Sequence, residues 1–517
     1  MRRLSLALYL RDARIVPVFL GMIFFATTSS RVPAATCESL AQLKLSHTTI
    51  TLAQVERPET FKPIENGTPG APLTRLPAFC RVAGTISPTP DSVIKFEAWM
   101  PVSNWNRKLM AVGNGGFSGG IWYRFMGGAL REGYATTSTD TGHEGSDSDA
   151  SFALGHPEKV IDFGYRAVHE TTVEAKAIVA AFYDRPILHA YWNGCSSGGK
   201  QGLMEAQRFP ADFDGIVAGA PANHWEHLSA SAIWIGRATH AEPAANLTRE
   251  SLMLLHAAAL NACDASDGIK DGVLSDPFAC HFDPRVLVCK SADPNSCLTA
   301  QQAEAAGKIY GGPVNPRTGV RVFPGLEPGS EMGWMFFAGA PEPPIASSHF
   351  KYIIFKDPKW NYRTFNFDSD VALADKIDNG TITAINADLS GFFSRGGKLI
   401  LYHGLDDPLI APQNTIDYYN EVVKADGSAA ASGVRLYLAP GMDHCYGGDG
   451  PFEFDMNAPL VDWVEHDKVP GTIVASHFAR PGAQPDRTRP LCPYPQVARY
   501  KGTGSTDEAS NFACMKP

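Results

Sequence analysis

No cluster of lysine or arginine interrupts the acidic balance of this chain, whose formal net charge is -9. It therefore lacks the electrostatic footprint that nucleic-acid binding needs. No internal repeat of solenoid period and no low-complexity tract is present, which sets aside repeat arrays and disordered linkers. Past the N-terminal leader, no apolar stretch reaches the roughly 20 residues that cross a bilayer, so no membrane partner is expected. Charged residues are scarce, 19% against 44% hydrophobic over 517 residues. Such a chain can bury a large core, divided into more than one domain.

What is present begins with Arg2, Arg3, Arg11 and Arg14, the apolar run Ile15 to Thr27, and small residues around Val32-Pro33-Ala34-Ala35. Basic, apolar and small regions in that order predict a secretory signal peptide over 1–35 and a secreted or periplasmic mature protein. Ten cysteines follow, and an oxidising compartment permits them to pair. Spacing suggests Cys263 with Cys280, Cys289 with Cys297, Cys492 with Cys514, and Cys37 with Cys80. Sequence does not fix the pairing. Cys195 and Cys445 are left over, either bonded or as buried free thiols.

Polar and apolar residues alternate over Ile94 to Met100, as in a half-buried strand. Further strands are expected at Lys108 to Val112, Tyr134 to Thr139, Leu188 to Asn193, Gly215 to Ala218, Lys398 to His403 and Val434 to Leu438. Helices are expected at Val160 to Tyr183, Gly199 to Arg208 and Thr415 to Lys424. Strands alternating with helices predict an α/β fold with a doubly wound, mainly parallel sheet. From 223 to 391 the texture changes to helical stretches (Glu250 to Ala262, Ala300 to Tyr310) and Pro-rich loops, with a capping box at Thr299 to Gln302. That block reads as an inserted lid domain between two core segments, 36–222 and 392–517.

The most informative stretch is Gly194-Cys195-Ser196-Ser197-Gly198, between an expected strand and an expected helix. A G-x-S-x-G in that setting is a nucleophile elbow, with Ser196 Oγ exposed on the turn. Serine chemistry needs a base, a carboxylate to orient it and donors for the oxyanion. In chain order Ser, Asp, His, the carboxylate is Asp407 in His403-Gly404-Leu405-Asp406-Asp407-Pro408 and the base is His444 in Asp443-His444-Cys445. Asp406 and His403 are the competitors, and solvated turn residues are the plainer alternative. A Cys195–Cys445 bond would hold Ser196 and His444 close together. The oxyanion donors are expected to be the N–H of Ser197 and that of Gly115 or Gly116, in the glycine loop after the Lys108 strand.

A second constellation, Cys263 to Val273, carries Asp264, Asp267 and Asp271 with the carbonyls of Ile269 and Val273. Oxygen donors at loose spacing suit Ca²⁺, as a structural ion in the lid, although the spacing is not that of an EF-hand.

These motifs, with Asp276-Pro277 and Asp357-Pro358-Lys359-Trp360, resemble the tannase and feruloyl esterase family over nearly all of the mature chain. The resemblance implies an α/β-hydrolase core with a large lid, a Ser-His-Asp triad, a disulfide joining the triad's neighbours and a lid calcium. It also implies hydrolysis of small aromatic esters such as ferulate or gallate, attached to plant polysaccharide or polyphenol, with a terephthalate monoester a further possibility. Trp334, Phe336, Phe337, Phe350 and Tyr352 are candidates for an acyl pocket, though lid aromatics are more often core. Two other functions fit the same residues: a catalytically inactive, calcium-stabilised binding protein, or a serine peptidase.

Overall fold

Short runs of apolar and small residues, too short for helices and too apolar for loops, become strands, and all but the half-exposed first are largely buried on both faces. In the computed structural model, which describes residues 35–516 apart from 59–60, 66–67, 71, 291–295 and 481, nine of them form one sheet. They are β1 (Thr48–Glu56), β2 (Phe79–Ile86), β3 (Ile94–Pro101), β4 (Lys108–Val112), β5 (Ala135–Thr139), β6 (His189–Cys195), β7 (Gly215–Gly219), β8 (Lys398–Gly404) and β9 (Val434–Ala439). Their order is β1-β2-β3-β5-β4-β6-β7-β8-β9. Pairs from β5 to β9 are parallel, while β1, β2, β3 and β5 pair antiparallel. β4 is followed by β5 on one side and flanked by β6 on the other. The crevice above the strand ends at that reversal is where open α/β sheets bind ligands.

Helices α1 (Ala167–Tyr183), α2 (Ser197–Arg208) and α7 (Pro412–Gly433) pack beside the sheet. The helix expected from Val160 is interrupted: a short helix, Pro157–Ile161, passes into a wider π-type turn at Asp162–Arg166 before α1. A Cβ on Gly164 would come within 2.2 Å of the Thr381 carbonyl, so the turn fits tightly against the segment before β8. β3 also departs from its reading as half-buried, since every residue but Lys95 is buried. The alternation was supplied by Glu97, which is buried and bonded by Arg81 at 2.5 and 2.8 Å, Trp99 Nε1 at 2.7 Å and Tyr123 at 2.9 Å.

Between β7 and β8 lie α3 (Trp225–Thr239), α4 (Arg249–Cys263), α5 (Ala300–Gly311) and α6 (Ser369–Asp378). The capping box opens α5: Thr299 Oγ1 accepts from Gln302 N at 2.9 Å, and Gln302 Oε1 accepts from Thr299 N at 3.0 Å. Leu252, Ile309, Trp334 and Phe350 of this segment share an apolar cluster with Phe117 and Phe163 from the first half of the chain. The insertion thus packs into one compact unit, residues 35–517, together with the sheet.

The described residues contain five disulfides: Cys37–Cys80, Cys195–Cys445, Cys263–Cys280, Cys289–Cys297 and Cys492–Cys514. No helix among these residues is long and apolar enough to cross a membrane. The leader expected at 1–35 lies, but for Ala35, outside the described residues.

Candidate active site

β6 runs directly into α2, and Ser196 is the hinge between them at φ 63°, ψ -123°. A non-glycine residue there is strained by about 1–3 kcal/mol, and the surroundings must hold it. Ser196 N donates to Gly219 O at 2.9 Å, and Ser196 O accepts from Lys200 N at 3.0 Å and Ala222 N at 3.1 Å. The end of β7 thus fixes the turn. A Cβ on Gly113 would lie 2.5 Å from Gly198 Cα, so two glycines let the loop after β4 close over the start of α2. Gly198 N then donates to Asn114 O at 2.7 Å.

The Cys195–Cys445 bond spans 250 residues and holds the two Cα atoms 6.0 Å apart. It ties the turn after β6 to the loop after β9, so the neighbours Ser196 and His444 face one cavity. His444 Nδ1 is 2.7 Å from Asp407 Oδ2. Asp407 Oδ1 accepts from Leu409 N at 2.8 Å and Ile410 N at 2.9 Å. Burial pushes its carboxyl up, but the charges and hydrogen bonds of His444 and His403 outweigh burial and hold it well below the usual carboxylate range. Asp407 stays ionised.

The competitors stand elsewhere. His403 is buried, with Nδ1 2.7 Å from Thr415 Oγ1 and Nε2 3.1 Å from Asp407 Oδ2, so it supports the carboxylate from behind. Asp406 points away toward Gly329, and its Oδ1 has no hydrogen-bond partner among the described residues. Burial, then the charges of Glu331, Asp443 and Asp449, push its carboxyl well up. His256 of α4 bridges that acidic group, 3.0 Å from Glu331 and 2.9 Å from Asp449. Asp443 is pushed up to about 7, by burial and then by Asp407 and Asp449. The sequence reading missed this cluster because its members are scattered along the chain.

Of the oxyanion candidates, Gly116 and Ser197 line the cavity and Gly115 does not. Gly115 turns toward Trp122, whose ring would be 3.0 Å from a Cβ there. Gly116 has φ 52°, and its carbonyl accepts from Ser197 Oγ at 2.8 Å. The second serine of the elbow therefore pins the glycine loop to the helix.

The rest of the cavity is apolar: Trp225, Leu228 and Ala232 of α3, with Ala222, Phe337, Ile345, Ala346, Leu409 and Ile410. Among the described residues, Ser229 is the one hydroxyl side chain on it beyond Ser196 and Ser197. Of the five lid aromatics considered, only Phe337 reaches the cavity; Trp334 and Phe350 are core, Phe336 is exposed and Tyr352 is half-buried. The aromatic wall missed from sequence is Trp225. Its indole N–H donates to His349 Nδ1 at 3.3 Å, and His349 Nε2 donates to Glu226 at 2.6 Å, both residues fully buried. Its place in the segment leaving β7 was the available signal.

The acidic loop is oxygen-only, and the side chains of Asp264 and Asp271 are buried. Asp264 accepts from Asp271 N at 3.2 Å and Gly272 N at 3.0 Å, and Asp267 from Ile269 N at 3.0 Å. Asp271 accepts from Val273 N at 3.2 Å and pairs with Arg489. These oxygen donors are the kind a hard cation takes, although the three carboxylates are not among the groups of the described residues whose ligand atoms gather within 4.8 Å of one another; an ion there would share Asp271 with that guanidinium.

A family profile described as tannase and feruloyl esterase matches residues 80–515. An uncharacterized esterase of Xanthomonas campestris pv. campestris is 40% identical, covering 95% of this chain and 92% of its own. A probable feruloyl esterase B-2 of Aspergillus terreus is 33% identical over 84% of this chain and 86% of its own. The crystal structure of feruloyl esterase B from Aspergillus oryzae superposes with a TM-score of 0.86 at 30% identity, covering 93% of this chain and 99% of that one. With an ionised Asp407 bonded to His444 and a strained serine on the same cavity, the chain belongs to the tannase and feruloyl esterase family and is a carboxylic ester hydrolase.

Proposed function

We propose that the protein is an exported serine esterase that cleaves esters of apolar phenolic acids of the ferulate type. The observation that carries this reading is the pairing of a covalently tethered Ser196 and His444 with a cavity that is apolar beyond them. Ser196 Oγ attacks the ester carbonyl while His444, through Nε2, takes its proton. Asp407 stays ionised, fixes Nδ1–H and balances the imidazolium. The N–H groups of Ser197 and Gly116 receive the oxyanion. His444 then returns the proton to the leaving alcohol, and water, activated by the same histidine, releases the acid.

A methoxylated ring suits walls made by Trp225, Leu228, Phe337 and Ile345, with Ser229 as a single hydroxyl partner. Gallate brings three hydroxyls that would be desolvated there, and a terephthalate monoester brings a carboxylate to a lining with no lysine or arginine among the described residues; each costs binding free energy. Five disulfides and the leader-like N-terminus support export. Ca²⁺ is proposed as a structural ion held by Asp264, Asp267 and Asp271 with the carbonyls of Ile269 and Val273; its bound charge would rigidify the loop, with no part in the ester reaction.

The test is a kinetic panel of methyl ferulate, methyl gallate, a terephthalate monoester and a ferulic amide. Methyl ferulate should have the highest kcat/KM, and Ser196→Ala should lower it by about 10⁴-fold or more. Faster turnover of gallate would refute the acyl assignment, preference for the amide would favour a peptidase, and full turnover by Ser196→Ala would remove the nucleophile.

A further inference from the structure

Away from the esterase cavity, the N-cap position and the first turn of α3 each carry a histidine, and the two meet an aspartate from α6. We propose that His224, His227 and Asp375 form a binding site for a divalent transition metal of the zinc type. One ligand atom from each lies within 4.8 Å of the other two. His224 and His227 are three residues apart at the helix start, with ring centroids 3.8 Å apart in a stacked pair; a ligating imidazole holds its ion in its own plane, so one ring turns out of the stack when both bind. His227 Nε2 is 3.1 Å from Asp375 Oδ2.

The hydrogen bonding already fixes which nitrogen faces the site. His227 Nδ1 is 2.7 Å from the Val322 carbonyl, and a carbonyl only accepts, so Nδ1 carries the proton. Nε2 faces the Asp375 carboxylate, which also only accepts, so it donates there in the metal-free protein, and an ion binding between the two displaces that proton to make Nε2 the ligating atom. A backbone carbonyl on the far nitrogen is the usual outer partner of a metal-bound imidazole. Two imidazoles and a carboxylate select zinc-like ions over calcium or magnesium, which take oxygen ligands.

The site has an approach from solvent. Asp375 is half-exposed, and His224 alone of the three lines a cavity with Asn223, Gln413, Asp417 and Glu421, where among the described residues the two acids of α7 outnumber the cation Arg321. Three protein ligands with an open side leave a coordination position for water. An ion bound here would tie α3 to α6. Because α3 also supplies Trp225, Leu228, Ser229 and Ala232 to the esterase cavity, the ion would brace that wall from behind.

Untagged protein, stripped with chelator and re-equilibrated in excess Ca²⁺, is titrated with ZnCl₂ by calorimetry, with bound metal counted by mass spectrometry after dialysis. The expectation is one equivalent of zinc per chain. His224→Gln and Asp375→Asn should each weaken binding by about tenfold or more. Asp375 is half-exposed, so its amide variant keeps the fold if His224→Gln does not. His169→Gln, in the separate grouping with Glu205 and Asp212, should bind as the wild type does. Absence of zinc binding in the wild-type protein, or unchanged affinity in Asp375→Asn, would overturn the site.

Discussion

Two adjacent carboxylates, Asp406 and Asp407, show how much one position matters. Asp407 receives four hydrogen bonds, from two histidines and two backbone N–H groups, and remains charged. Asp406, equally buried, has no such partners and sits beside further acids. Asp407→Asn should therefore lower kcat by about 10⁴-fold, through the wrong histidine tautomer. Asp406→Asn should keep kcat within about tenfold of wild type and instead alter the pH profile of stability. Its folded carboxyl binds protons more tightly than the unfolded chain's, which titrates near pH 4. The associated stability is present below that pH and is lost as pH rises through the folded value. Melting curves of Asp406→Asn should match wild type near pH 4 and lie above it at pH 8; matching curves at both would show that Asp406 imposes no such penalty. At this scale the contact of Asp407 with His444 and the cavity shared by Ser196 and His444 were legible, because chain order and the strand-end motifs constrain where these residues lie. The sequence did not carry Trp225 or the acidic cluster around His256, whose roles arise only from packing between distant segments.

Elements place those residues through four connections: the turn after β6, the glycine loop after β4 and the loops after β8 and β9. All rise at the same edge of the parallel strands, and the Cys195–Cys445 bond links two of them. The double variant Cys195→Ala with Cys445→Ala should fold with about 2–5 kcal/mol less stability. It should also lose most of its turnover, because nucleophile and base are no longer tethered. Full kcat in that variant, measured alongside a urea melt, would reduce the bond to a staple. The parallel strands were legible as short apolar runs, and α5 from its capping box. β1 and β2 were not: β1 is half-exposed and mixed in polarity, and β2 carries Gly84 and Arg81 within it. α3 escaped as well, since its start lacks a side-chain cap and its body mixes serine, isoleucine and tryptophan, poor helix formers that packing overrides.

For the whole molecule, an inserted segment shares its core with the sheet, so anything that stiffens the insertion acts on the global unfolding equilibrium. The acidic loop lies far in sequence from the Ser196 turn, and Arg487 and Arg489 reach it from the C-terminal region. Chelation of calcium should lower Tm by several degrees, as loss of a ligand bound only to the folded state does. The initial rate of methyl ferulate hydrolysis below that Tm should not change. A rate that falls in step with calcium removal at constant fold would place the ion in the chemistry. The insertion was visible as a break in strand alternation, but its union with the sheet was not, because pairs such as Phe117 and Trp225 are brought together only by the fold. The most direct measurement is active-site labelling with a fluorophosphonate followed by peptide mapping. The label should fall on Ser196 at one equivalent per chain and be lost in His444→Ala, whereas label on another residue, or efficient ester turnover without labelling, would contradict the Ser196–His444–Asp407 mechanism.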